Sequence, residues 1–148
     1  MSAHRFGQSS TPRTAPTLLL RRVPGFGVAA KGGSQITANQ AAGNAARDAL
    51  VLEYPGSQIE ATFVTTAGVR RLDVLTSEGV GLESKVGRTS LSAATRSQIA
   101  KDALLLRSGG VTGIEWVFVR SEVAGKIGSM DPLANALDTA GIPWRLVP

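Results

Sequence analysis

Hydrophobic positions become regular only after residue 35, and from there their spacing predicts a succession of helices and strands. The alanine-rich run from Ala38 to Leu52 favours a helix, with Thr37 placed to cap its start and Pro55-Gly56 to stop it. Between Ser57 and Thr66, Ile59, Ala61 and Phe63 alternate with Gln58, Glu60 and Thr62, the two-residue period of a strand with one buried face. The pattern breaks at Ala67-Gly68 and resumes from Val69 to Thr76, so these segments are expected to pair antiparallel. Ser77-Glu78-Gly79 then makes a tight turn into a third strand, Val80 to Gly87.

Downstream, Ala94, Ile99, Ala103 and Leu106 approximate the apolar stripe of a helix over Leu91 to Arg107, with Ser90 or Ser92 as cap and Gly109-Gly110 as terminator. In Gly113 to Arg120, Ile114, Trp116 and Phe118 share one face while Val117 and Val119 take the other. Such a strand is covered on both sides and belongs in the middle of a sheet. Asp131 and Pro132 open a helix that buries Leu133, Ala136 and Leu137 and closes at Gly141, before a last strand from Trp144 to Val147. The order helix, three strands, helix, strand, helix, strand predicts an α/β fold of the mixed α+β kind, a central mixed sheet with helices on its faces.

At 148 residues the chain holds one domain with a real core and is too short for two of ordinary size. Residues 1–35, rich in Ser, Thr, Pro, Gly and Arg, read as a flexible basic leader or linker, and 36–148 as the domain. Charge divides the same way. Five of the 16 basic residues and none of the 11 acids precede residue 37, so the net +5 resides in the leader and the rest balances 11 against 11. A basic arm adds sequence-independent attraction to phosphates. No run is apolar enough for a membrane span, and the chain reads as soluble. Without cysteine there is neither a disulfide framework, nor a thiolate zinc site, nor a thiol nucleophile. The one histidine, His4, lies close to the N-terminus, which argues against histidine acid–base chemistry. Carboxylates and lysine remain.

Those groups converge around the third strand. Glu83 and Lys85, two residues apart, share a face, with Ser84 turned away, and the hairpin brings Asp73 to them, gathering Asp, Glu and Lys on one face. Hydrolysis of a phosphodiester needs an activated water and an offset for charge on phosphorus and the leaving oxygen, which a carboxylate-bound divalent cation supplies. Mg2+ needs only one or two carboxylates beside the substrate phosphate, and Asp73 and Glu83 are the candidates. Lys85 places an ammonium where it stabilises developing charge or orients the nucleophile. Gln98, Lys101 and Asp102 lie on one helical flank, able to steer phosphate or hydrogen-bond the lysine. Asp48 and Glu53 are the acids the first helix offers as further metal ligands. Spacing alone favours a solvated face of an amphipathic strand over a site. The apolar neighbours of Asp73 and Glu83 and the glycines at 79, 81 and 87 favour a site. Trp116 and Phe118 read as core, and Arg70, Arg71, Arg88 and Arg96 as phosphate contacts or plain surface charge.

The segments Arg70-Arg71-Leu72-Asp73-Val74, Gly81-Leu82-Glu83-Ser84-Lys85-Val86-Gly87, Gln98-Ile99-Ala100-Lys101-Asp102 and Gly43-Asn44-Ala45-Ala46-Arg47-Asp48 together resemble the PD-(D/E)xK, or restriction-endonuclease-like, nuclease superfamily, in the form found at the C-terminal tips of bacterial polymorphic and contact-dependent inhibition toxins. The resemblance covers residues 37–148 and implies a restriction-endonuclease-like core. It implies metal binding by Asp73 and Glu83, with Mg2+ or another divalent cation such as Mn2+ or Zn2+, catalysis by Lys85, and accessory roles for Gln98 and Lys101. No proline precedes Asp73, and Ala49 stands where the helix acid is expected, leaving Asp48 or Glu53 as substitutes. The resemblance further implies delivery as the C-terminal part of a larger secreted toxin, action in the target-cell cytoplasm, and a cognate immunity protein as partner.

The functional expectation is a metal-dependent endonuclease toxin that cleaves DNA. A tRNA-cleaving toxin ribonuclease is the alternative substrate class, since phosphate contacts carry no substrate identity. A non-catalytic nucleic-acid-binding or assembly module on the same scaffold is the alternative of a different kind.

Overall fold

Helix α1, Ser34–Glu53, opens the computed structural model, which describes residues 34–148. Residues 1–33, His4 among them, lie outside the described residues, while Ser34 and Gln35, expected in the leader, already belong to the helix. The helix begins one turn before Thr37, which therefore sits inside it rather than at its cap. There follow β1 (Gln58–Thr65), β2 (Gly68–Leu75), β3 (Val80–Val86), the two-residue β4 (Arg88–Thr89), α2 (Ala93–Ser108), β5 (Gly113–Val119), the two-residue β6 (Gly128–Ser129), α3 (Asp131–Thr139) and β7 (Trp144–Val147). Only β4 and β6, which pair parallel with each other, have no counterpart in the hydrophobic pattern, being too short to show a period.

The main sheet runs β1-β2-β3-β5-β7. Its first three strands are antiparallel, as short turns require, and β5 and β7 join parallel to β3 through the crossover helices α2 and α3. The result is a five-stranded mixed sheet with helices on both faces.

Helix α2 starts where its chemistry dictates. The Ser92 hydroxyl accepts the Thr95 N–H at 3.2 Å while the Thr95 hydroxyl accepts the Ser92 N–H at 2.7 Å, a reciprocal cap that satisfies two otherwise orphaned donors. Gly109, at φ 72°, closes it in the left-handed conformation.

Two cores result. On one face Ala61, Phe63, Leu72, Ile114, Trp116 and Phe118 pack under Ile99 and Leu105 of α2 and Leu133 and Leu137 of α3. On the other, Val74, Leu82 and Val117 pack under Leu50 of α1. Strand β5 feeds both, as its two apolar faces predict. Each fully buried large side chain contributes about 1.5–3 kcal/mol.

Leu72 and Val74, two residues apart on one strand, belong to opposite faces. Regular alternation forbids this. The β1–β2 ladder pairs Ile59 with Val74 and Ala61 with Leu72 but skips Glu60 and Asp73 between them, and Glu60 holds φ 53°, left-handed for a non-glycine residue. The backbone irregularity at Glu60 and Asp73 rotates the strand and separates Asp73 from its neighbours.

Gly81 fixes the base of the next pairing. A β-carbon there would run into Leu72 Cδ1 and come within 3.5 Å of Ile114 Cγ1, both in the packed core. Gly81→Ala is expected to cost about 1–3 kcal/mol of stability, read by urea denaturation. No loss would mean that Leu72 has room to retreat.

Candidate functional site

Strands β2 and β3 pair at only two positions, Val74 with Leu82 and Leu75 with Gly81. Beyond them β2 stays with β1, and β3 stays with β5 from Val80–Gly113 through Val86–Val119, so the strands diverge as a fork. Asp73 and Glu83 stand at its opening. A cavity of about 530 Å³ lies there, lined by Asp73, Glu83, Ser84 and Lys85 from the fork, Gln98 and Lys101 from α2, and Gln40, Asn44 and Arg47 from α1.

Glu83 is 3% exposed, and both its oxygens are engaged. Oε1 accepts from Lys85 Nζ at 2.7 Å and Gln98 Nε2 at 3.1 Å, and Oε2 accepts from Arg70 Nη1 at 3.1 Å. Lys85 Nζ also donates to Gln98 Oε1 at 3.0 Å, so the glutamine locks acid and lysine together as the helical flank predicted. Beneath the ammonium, the Trp116 ring centroid is 5.2 Å away, within cation–π range. Burial pushes the Glu83 carboxyl above its ordinary range, against the downward pull of the Arg70 and Lys85 cations.

Asp73 is held differently. Its Oδ2 accepts both the Ser84 N–H and the Ser84 hydroxyl, each at 2.8 Å, which ties the two arms of the fork. Two expectations change here. Asp73 does not share a face with Glu83 and Lys85, because the strand rotates between Leu72 and Val74; it reaches the same cavity from the α1 side. Ser84 does not turn away from the site but lines it and fixes Asp73. Gln98 and Lys101 do line the cavity, and Lys101 Nζ donates to the Val69 carbonyl at 3.0 Å.

The first-helix acids do not arrive. Glu53 takes Arg145 of β7 at 2.8 and 2.9 Å and lies outside the cavity lining. Asp48 is 65% exposed at its side chain and pairs with Arg47 at 3.2 Å, again outside the lining. The face of α1 that does meet the cavity carries Gln40, Asn44 and Arg47, four and three residues apart. Among the described residues, no group of three His, Cys, Asp or Glu side chains is placed to hold a metal ion. A third acid of the cavity wall, Glu60, comes from β1, where it binds Arg47 at 3.2 Å.

Arg70 and Asp102 depart furthest from expectation. Neither a surface charge nor an exposed flank, they are 2% and 0% exposed. Arg70 Nε and Nη2 grip Asp102 at 2.6 and 3.2 Å, and Trp116 Nε1 donates to the same carboxylate at 2.9 Å.

No family model and no curated protein matches the chain. Among solved structures it is similar to Pyrococcus furiosus SfsA in complex with Ca2+, at a TM-score of 0.43 and 20% identity over 76% of this chain. The chain spans 56% of the length of that protein, so it corresponds to little more than half of it. The likeness is one of chain path, and the fold rests on the strand order and pairing of the sheet itself.

Proposed function

We propose that the chain is a metal-dependent endonuclease that hydrolyses phosphodiester bonds, DNA first among its substrates. One observation carries the reading: the β2–β3 fork brings Asp73, Glu83 and Lys85 to a single cavity of about 530 Å³. The donor set suits a hard divalent cation such as Mg2+. Both Ser84 bonds fall on Asp73 Oδ2, so among the described residues Oδ1 has no protein donor and Glu83 Oε2 accepts a single bond. Two carboxylates are enough, because Mg2+ keeps waters and takes the remaining oxygens from substrate. A cation held there supplies Lewis acidity to the phosphodiester and to its attacking water.

The chain's own groups do the rest. Gln98 and Glu83 hold the Lys85 ammonium at the cavity wall, where it offsets charge as the water oxygen adds to phosphorus. The bond from phosphorus to the leaving oxygen then breaks, and the water's proton ends on that oxygen. Arg71 and Lys101 line the same cavity and provide positive charge for flanking phosphates.

Delivery as the tip of a larger bacterial toxin, action in the target-cell cytoplasm and a cognate immunity protein belong to the same reading and rest on the resemblance to toxin nucleases, while the basic leader over residues 1–35 rests on composition and charge. A second reading has an observation of its own: Arg70 and Lys85 already neutralise Glu83, which suits a scaffold that binds nucleic acid without cutting it. Incubation of purified chain with supercoiled plasmid or total tRNA separates them. Plasmid nicking with Mg2+, none with EDTA and intact tRNA are expected. Cleavage of tRNA alone shifts the substrate class, and cleavage of neither with Mg2+, Mn2+ or Zn2+ leaves the binding module.

A further inference from the structure

We infer that the buried pair of Asp102 and Arg70 is a positioning device for the site, fixing the Glu83 carboxylate and through it the Lys85 ammonium. The inference rests on the nuclease reading but concerns residues that reading does not use. Asp102 lies in the middle of α2, wholly buried, and its two oxygens receive three donors from two strands: Arg70 Nε and Nη2 from β2 and Trp116 Nε1 from β5. Both donor residues lead back to the cavity. Arg70 continues through Nη1 to Glu83 Oε2 at 3.1 Å, and its remaining bond, to the Arg71 carbonyl at 2.6 Å, prevents the guanidinium plane from turning. Trp116 lies under the Lys85 ammonium, 5.2 Å from Nζ to ring centroid.

Charges therefore alternate along Asp102, Arg70, Glu83 and Lys85, from the core to the cavity wall. Each member is held by the one before it. For docking α2 on the sheet alone, such a chain is a poor choice, since apolar residues of similar volume often stabilise as well as a buried ion pair or better. An arginine fork has what a site requires instead. It presents fixed, planar donors to two carboxylates at once, which a lysine cannot reproduce. Neutralising Asp102 would leave the full Arg70 charge on Glu83, drawing that carboxylate away from Lys85 and from any cation in the cavity.

Asp102→Asn tests this, because it preserves shape and one acceptor oxygen while removing the charge. Plasmid nicking is expected to lose about 10- to 100-fold in kcat with KM within about twofold, and Mn2+ alone, titrated calorimetrically without nucleic acid, to bind about tenfold more weakly. The double variant Arg70→Met with Asp102→Leu supplies the control for folding. Its thermal midpoint is expected to recover relative to Arg70→Met alone, while turnover stays low. Parental kcat and Mn2+ affinity in Asp102→Asn overturn the inference, as does a double variant that regains turnover together with its midpoint. If Asp102→Asn does not fold, the double variant alone decides. Should the parent chain bind Mn2+ but cut nothing, the nuclease reading fails by itself, and the Mn2+ affinity of Asp102→Asn still decides this one. A parent that neither cuts nor binds Mn2+ overturns both.

Discussion

Lys85→Ala is expected to reduce cleavage by about 100- to 1,000-fold, the usual loss when one preorganised charge facing a developing anion is removed. Its stability should move by about 1 kcal/mol or less, as for a partly exposed ion pair. The separation of the two effects follows from the partners. Lys85 is a half-buried cation whose side chain is 20% exposed, so truncation leaves no buried void of any size. Glu83 keeps Arg70 and Gln98 as donors, and Gln98 keeps its own bond to Glu83, so no buried group is orphaned. Initial nicking rates and a thermal melt on the same preparation measure both quantities. Activity within threefold of the parent would remove Lys85 from the site, and with it the strongest reason for reading the fork as catalytic.

Lys85 and Glu83 were legible because strand β3 is regular: its pairing with β5 is unbroken, so the two-residue period places both side chains correctly. The same period places Arg70 on the buried side of β2, since Leu72 two residues on is core. A signal for the buried network was thus present. On α2 the buried stripe runs through Thr95, Ile99, Asp102 and Leu105 rather than Ala94, Ile99, Ala103 and Leu106. That offset of one position turned Asp102 from core to flank. Opposite charges on two buried faces that pack together are the pattern that identifies such a pair. The position of Asp73 had no comparable signal. It depends on a break in the β1–β2 ladder and on a left-handed Glu60, a conformation that glutamate composition and spacing do not announce. Asp48 and Glu53 failed for the opposite reason, because a helix of weak apolar contrast leaves its rotation undetermined, and the face toward the cavity turned out to carry Gln40, Asn44 and Arg47.

Arg70→Ala is expected to be the most destabilising single substitution near the site, costing about 3–5 kcal/mol in a urea denaturation, as when one partner of a buried ion pair is removed. A surface arginine would cost about 0.5 kcal/mol or less. Two buried carboxylates lose their shared cation at once, and the remaining donors, Trp116 to Asp102 and Lys85 with Gln98 to Glu83, cannot rotate to replace it. The loss carries a pH signature of definite sign. Burial raises the folded-state carboxyl of Glu83, and Arg70 is the foremost group pulling it down, so removing Arg70 raises it further. An acid whose folded value lies above its unfolded one contributes stability that is fully present below the unfolded value and is lost as pH rises through the folded one. The deficit of Arg70→Ala against the parent should therefore be smaller near pH 4, where the unfolded carboxyl titrates, and widen as pH rises through the Glu83 range. In the variant Arg70→Ala with Glu83→Gln, which has no carboxyl at that position to ionise, the Glu83 part of that widening should vanish. A deficit below about 1 kcal/mol at neutral pH, or one that shrinks as pH rises, would show that the guanidinium is not what offsets the burial of the Glu83 carboxyl inside the fork.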